Sequence, residues 1–132
     1  MAKTFMQMVE EAKAEVSAVS AQEAQRQMQQ DANTVVVDVR DADEVRQSGA
    51  LPGALNISLG MLPVRADQQL PEQLRNPKLQ DRSRPVITTC ALGLNAARGA
   101  KVLKDMGFTN VRYIEGGFKA WKEAGLPTDR PA

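Results

Sequence analysis

The chain has 132 residues, 42% hydrophobic and 25% charged, with 17 basic against 16 acidic side chains. That is the size and balance of one soluble globular domain that can bury its own core, and no basic field calls for a nucleic-acid partner. Histidine is absent and cysteine occurs once, which excludes Ser-His-Asp and Cys-His catalysis, an internal disulfide and a cysteine zinc cluster, and argues against a transition-metal site. Chemistry is left to cysteine, carboxylates, cations, hydroxyls and the backbone.

The opening "MAKTFMQMVEEAKAEV" lacks the continuous apolar core of a signal peptide and brings in acids at Glu10 and Glu11. No stretch approaches the roughly 20 apolar residues of a membrane span, so no membrane partner is expected, and a cytoplasmic setting with a reduced thiol is the default. Phe5, Met8, Val9, Ala12 and Val16 recur at helical spacing and predict an amphipathic helix near 4–14. Its apolar stripe is short and its polar face mixes both signs of charge, so it is expected to dock on the protein's own core. "VSAVS" (Val16 to Ser20) predicts a short edge strand. Ser20 and Glu23 then form a capping-box pattern for a helix running to about Gln30.

"TVVVDV" (Thr34 to Val39) is an uninterrupted β-branched run, the pattern of a strand buried on both faces. "DADE" (Asp41 to Glu44) repeats the capping logic before a short helix, with Glu44 read as a cap. "SGALPGALNIS" gives a turn and a short strand at Leu55–Ile57. The prolines at 63, 71 and 77 predict irregular chain over 60–82, with a helix near 68–76. "PVITTC" is a second buried strand. The stripe Ala96, Ala100, Leu103 and Gly107 predicts a helix of small residues packed close to a sheet, stopped at Gly107. "NVRYIE" (Asn110 to Glu115) is a third clear strand, and "GGFKAWKEAG" a short helix with Phe118 and Trp121 inward, Gly116 and Gly117 providing a turn. Strands alternating with helices predict one α/β domain with a parallel sheet.

The lone cysteine, Cys90, raises the question of chemistry. By itself it reads as a small buried hydrophobe. Its place changes that reading: it stands at the predicted carboxyl end of a buried strand, the edge where open parallel sheets bind ligands. Ala91 to Asn95 form a short loop entering the next helix, and Gly93 lets that loop curl. Loop N–H groups and a helix N-terminus together cradle an anion on sulfur. The pattern fits a persulfide-forming cysteine, a cysteine phosphatase or an arsenate-handling thiol.

Four motifs in order resemble the rhodanese family of sulfurtransferase-type domains, over about Val16 to Pro127. "VVVDVRDADEV" resembles the family's strand ending in Asp-Val-Arg with a downstream acid, here Asp38, Val39, Arg40 and Glu44. "SGALPGALNI" is similar to Gly-His-Ile-Pro-Gly-Ala-x-Asn-Ile. "CALGLN" matches the six-residue active loop with glycine in fourth place, and "GGFKAW" with "GLP" matches the C-terminal signature. The resemblance implies a three-layer α/β/α domain over residues 16–132 around a mainly parallel five-stranded sheet, preceded by the helix of residues 1–15.

It further implies that the Cys90 thiolate takes sulfur from thiosulfate or a persulfide, and that cyanide, a thiol or a sulfur-relay protein accepts it. No cofactor or metal is required. Ala91, Leu92, Gly93, Leu94 and Asn95 would hold the sulfur, with Asp38 and Arg40 as supporting residues.

Two departures stand out. The loop ends in Asn95 where many members have arginine, and Ala91, Leu92 and Leu94 are uncharged, so the loop has no side-chain cation for a dianion. Arg98 compensates if it bends back to the pocket and is otherwise an exposed helix residue; Arg65 is another candidate. Ala50 stands where the family usually has histidine. The competing readings are a cysteine phosphatase on the same fold, disfavoured by the six-residue loop and Asn95, and a non-catalytic rhodanese-like binding module, disfavoured by the intact cysteine.

Overall fold

The β-branched runs pair side by side in a computed structural model, which describes residues 2–130. Five strands, β1 (Ser17–Val19), β2 (Val35–Asp38), β3 (Leu55–Asn56), β4 (Val86–Thr89) and β5 (Val111–Ile114), form one sheet in the order β1-β5-β4-β2-β3. All four pairings are parallel, and β2 and β4 run in register from Val35 opposite Val86 to Asp38 opposite Thr89. Both of these central strands are buried along their whole length, as the continuous apolar runs require.

Six helices cover the sheet: α1 (Phe5–Glu15), α2 (Ala21–Gln30), α3 (Ala42–Ser48), α4 (Leu62–Ala66), α5 (Leu94–Asp105) and α6 (Gly117–Glu123). Alternation along the strands sorts the core into two layers. Val35, Val37 and Val39 pack with Ala12, Leu62, Ala100 and Leu103, under α1, α4 and α5. Val36, Ile87 and Ile114 pack with Ala24, Phe118 and Trp121, under α2 and α6. The architecture is three-layer α/β/α. The expected division into residues 1–15 and 16–132 reaches residues 1, 131 and 132, which lie outside the described residues.

α1 docks on the protein's own core. Val9 and Ala12 are buried, and the Lys104 ammonium on α5 donates to the Glu15 carbonyl at 2.6 Å, closing the free end of α1. Its start carries a full capping box: Thr4 Oγ1 accepts from Gln7 N–H while Gln7 Oε1 accepts from Thr4 N–H. The box expected at α2 is only half made. Ser20 Oγ accepts from Glu23 N–H, but the Glu23 carboxylate pairs with Arg26. At α3, Asp41 occupies the N-cap position without a side-chain cap bond, and Glu44 does not cap but lines the cleft described below.

The expected helix at 68–76 is not formed. The chain has α4 earlier, with Pro63 in its first turn, then single 3-10 turns at Glu72–Leu74 and Pro77–Leu79. The reason is local. Asp67 accepts from the N–H groups of Gln69 and Leu70, which diverts the backbone into an Asx turn, and Pro71 cannot continue a helix from the preceding turn.

Candidate active site

β2 and β4 are neighbours, yet their connections leave in opposite directions: β2 passes through α3 to β3, and β4 passes through α5 to β5. The chain therefore opens a crevice beyond their carboxyl ends, the switch point at which such sheets bind ligands. A cleft of about 510 Å³ lies there. Val39, Arg40, Asp41 and Glu44 line it from the β2 side; Cys90, Ala91, Leu92, Leu94 and Asn95 line it from the β4 side.

Cys90 follows β4 directly and is 5% exposed. Its Sγ accepts the backbone N–H groups of Gly93 and Ala96, each at 3.1 Å. Gly93 is the N-cap of α5 and adopts φ +91°, a left-handed conformation that glycine alone takes without cost. Ala96 stands in the first turn of α5, where N–H groups have no partner within the helix. The sulfur supplies that partner, in the positive potential of the helix start. Within the expected cradle of Ala91 to Asn95 it is Gly93 N–H that donates to the sulfur, and the second amide comes from Ala96, one residue beyond that range.

What curls the loop lies elsewhere in the sequence. Phe118 N–H donates to the Cys90 carbonyl at 2.7 Å and Lys119 N–H to the Ala91 carbonyl at 3.1 Å. The start of α6 therefore pulls the loop's carbonyls to one side and leaves amides free for the sulfur. Gly117, at φ +59°, allows this approach: a Cβ there would lie 2.4 Å from the Cys90 carbonyl oxygen and 2.7 Å from Gly93 N. In the sequence, Gly116 and Gly117 read only as a turn. The available signal was a glycine pair opening an apolar helix, which marks a close backbone approach. Thr88 Oγ1, donating to the Ala96 carbonyl at 2.7 Å, ties the base of α5 to β4.

The opposite wall is held by side chains. Arg40 and Asp38, 6% and 1% exposed, form a two-pronged ion pair, with Arg40 Nη2 to Asp38 Oδ2 at 2.7 Å and Nε to Oδ1 at 3.0 Å. Arg40 also donates to Ser48 Oγ and to the Gly49 carbonyl, and its guanidinium lies 4.7 Å from the centre of the Phe118 ring. All three guanidinium nitrogens donate within the protein, so Arg40 and Asp38 act as struts under the β2 exit. Asn56 Nδ2 completes the brace by donating to the carbonyls of Asp38 and Arg40. Ala50 is buried and joins the C-terminal segment through paired backbone bonds with Asp129, both 2.8 Å.

The remaining site residues divide. Ala91, Leu94 and Asn95 are half-buried on the cleft wall and Leu92 is exposed at its rim. Arg98 is not in the cleft. It donates to Asn95 Oδ1 at 3.1 Å, lies 5.7 Å from the centre of the Phe5 ring, and lines the adjacent groove with Met8 and Lys101. Arg65 donates to the Leu74 carbonyl and plays no part in the site. Phe5, read from the sequence only as part of a helix stripe, lines the cleft.

Comparison with known proteins agrees with this geometry. Residues 20–124 match the family described as Rhodanese-like domain. The chain is 33% identical to the thiosulfate sulfurtransferase GlpE of Actinobacillus succinogenes over 102 residues, 77% of this chain and 81% of that protein. Among solved structures, a protein of unknown function from Rhodopseudomonas palustris, described as a possible tyrosine phosphatase, is 33% identical with a TM-score of 0.89, covering 98% of this chain and 96% of its own. The polysulfide-sulfur transferase of Wolinella succinogenes is 30% identical with a TM-score of 0.74, covering 94% and 85%. With four-fifths of its length matched and the fold shared, the chain belongs to the rhodanese-like domain family.

Proposed function

We propose that the protein is a sulfurtransferase that carries sulfane sulfur on Cys90. The observation that supports this most strongly is the Cys90 sulfur at a switch-point cleft, accepting two backbone N–H groups at 3.1 Å. Such amides stabilise negative charge on sulfur without bringing in a proton, which is what both a thiolate and a terminal persulfide need.

The chemistry balances in two steps. The Cys90 thiolate attacks the outer sulfur of the donor; the new S–S bond forms as the donor's S–S bond breaks, and the bonding pair leaves with sulfite (from thiosulfate) or with a thiolate (from a persulfide). An acceptor then attacks the outer sulfur of the Cys90 persulfide. Cyanide leaves as thiocyanate and a thiol as a persulfide, and Cys90 returns as thiolate. With one cysteine in the chain, no internal thiol can resolve the intermediate, so the acceptor is external, a small molecule or the thiol of a sulfur-relay protein. A reducing, cytoplasmic setting keeps Cys90 in the form the first step uses. Among the described residues no helix is long and apolar enough to cross a membrane.

The Rhodopseudomonas palustris neighbour, as a possible tyrosine phosphatase, suggests a second reading: hydrolysis of a phosphate monoester by the same cysteine. It needs a cation fork on the phosphate oxygens. Asn95 ends the loop, and the wall cation Arg40 is bound to Asp38, so sulfur transfer is the better fit. The test is to incubate the protein with thiosulfate and, separately, with an organic persulfide, then take an intact mass before and after cyanide. Sulfur transfer predicts a gain of one sulfur atom that cyanide removes and Cys90→Ser abolishes. No gain with either donor, or a Cys90-dependent phosphatase rate in its place, refutes it.

A further inference from the structure

The walls of the cleft carry an uneven set of charges. Its one lining cation among the described residues, Arg40, is committed to Asp38, Ser48 and the Gly49 carbonyl. Two carboxylates, Asp41 and Glu44, line the same cleft and are exposed. The large side chains of the mouth are apolar, Phe5, Leu59, Leu92 and Leu94, and its neutral polar groups are Ser58 and Asn95. Phe5 is 45% and Leu92 56% exposed, large apolar surface at a site where it is free to meet a ligand.

Phe5 comes from outside the segment that matches the family, which begins at residue 20. It is the first residue of α1, fixed there by the Thr4–Gln7 capping box and by burial of Val9 and Ala12 one and two turns on. Its ring does two things at once. One side lines the cleft, and the guanidinium of Arg98 lies 5.7 Å from its centre while lining the neighbouring groove instead. Arg98, a cation outside the cleft, therefore sits beside the aromatic ring that walls it and also donates to Asn95 Oδ1.

We propose that Phe5 determines donor specificity: it presents an apolar wall and holds Arg98 out of the cleft, so that the site takes sulfur from small organic persulfides with an apolar body in preference to thiosulfate. This rests on the Cys90 persulfide reading. In both donors the transferred sulfur goes to the amide cradle. What trails behind it differs. Thiosulfate puts a sulfonate near the Asp41 and Glu44 carboxylates and leucine side chains, with only the neutral Ser58 and Asn95 to offset like charge and lost hydration. An organic persulfide puts hydrocarbon there. The cleft volume of about 510 Å³ suits a small molecule of that kind.

The test measures the rate of Cys90 persulfide formation with benzyl hydropersulfide and with thiosulfate, in wild type, Phe5→Ala and Phe5→Ala/Arg98→Gln. Phe5 is half exposed at a helix start and alanine favours the helix, so the fold is retained. Wild type is expected to load faster from benzyl hydropersulfide. Phe5→Ala is expected to lower that rate and raise the thiosulfate rate, moving their ratio by about tenfold, the size of one pocket contact; adding Arg98→Gln removes the thiosulfate gain. A loss of folding lowers both rates together and cannot produce opposite changes. Loading that favours thiosulfate in wild type, or a ratio unmoved by Phe5→Ala, overturns the specificity role and leaves sulfur transfer standing. No loading from any donor overturns sulfur transfer and this role with it.

Discussion

The two walls of the cleft are made of different material. What meets the Cys90 sulfur on the β4 side is backbone: a loop curled by Gly93, amides turned to the sulfur, and carbonyls pulled back by the start of α6 across the gap that Gly117 leaves, with Leu92 and Leu94 outward at the mouth. The β2 wall and rim are side chains: the Asp38–Arg40 strut, the Asp41 and Glu44 carboxylates, and Phe5 from α1. The backbone cradle is suited to negative charge on sulfur. The side-chain wall meets whatever is attached to that sulfur. On the proposed reading, reactivity rests on the backbone cradle and selectivity on the side chains of the mouth, so the two can be changed separately.

The contrast is broken most severely on the backbone side. Cys90→Ser leaves the cradle but removes the proposed nucleophile, and is expected to abolish sulfur loading by intact mass while leaving the urea midpoint close to wild type. Gly117→Ala puts a methyl group into the space now 2.4 Å from the Cys90 carbonyl oxygen. It is expected to cost about 2–4 kcal/mol in urea unfolding, from backbone displacement at a position with no room, and to cut the loading rate about a hundredfold by misplacing the amides. A normal loading rate in this variant means the α6 turn does not shape the loop.

Changes on the side-chain side should act differently. Asp38→Ala leaves Arg40 buried and unpaired, with an expected loss of about 3–5 kcal/mol in urea unfolding. Asp41→Asn/Glu44→Gln touches only exposed groups. Stability should stay within about 0.5 kcal/mol, while the rate of loading from thiosulfate rises about threefold and loses part of its salt dependence. The smallest effect lies away from the cleft. Backbone N–H groups of Gln69 and Leu70 hold the Asp67 carboxyl below its ordinary value of 3.8. Its folded value is below its unfolded one, so its contribution is complete above about pH 4 and is lost as the pH falls through the folded value. Asp67→Asn should therefore flatten the acid limb of stability below about pH 4, read as urea midpoints across pH.

The sequence disclosed what is carried by pattern. The buried strands at 34–39 and 85–90, the small-residue helix after Cys90 and the placing of the thiol at a strand end follow from unbroken β-branched runs and helical spacing, which tertiary contacts then reinforce. Asp38 and Arg40 were legible only as supporting residues, and the fold adds that they pair with each other. Three things were not legible. The Ala96 amide on the sulfur depends on where the helix starts, which spacing fixes only to within a residue or two. The pressure of Gly117 on the loop joins residues 27 positions apart along the chain, from Cys90 to Gly117, and periodicity carries no such information. Phe5 looked like any apolar residue of a helix stripe, and only the docking of α1 on α5 brings it to the cleft.

In the proposed reaction, sulfur on Cys90 is held by the amides of Gly93 and Ala96. This is tested most directly by amide proton and nitrogen shifts of the protein before loading, after loading with one sulfur atom verified by intact mass, and after cyanide. The Gly93 and Ala96 signals are expected to move on loading, more than those of α2 or α4, and to return when cyanide removes the sulfur. A protein that gains and loses the sulfur while those two signals stay in place would contradict it.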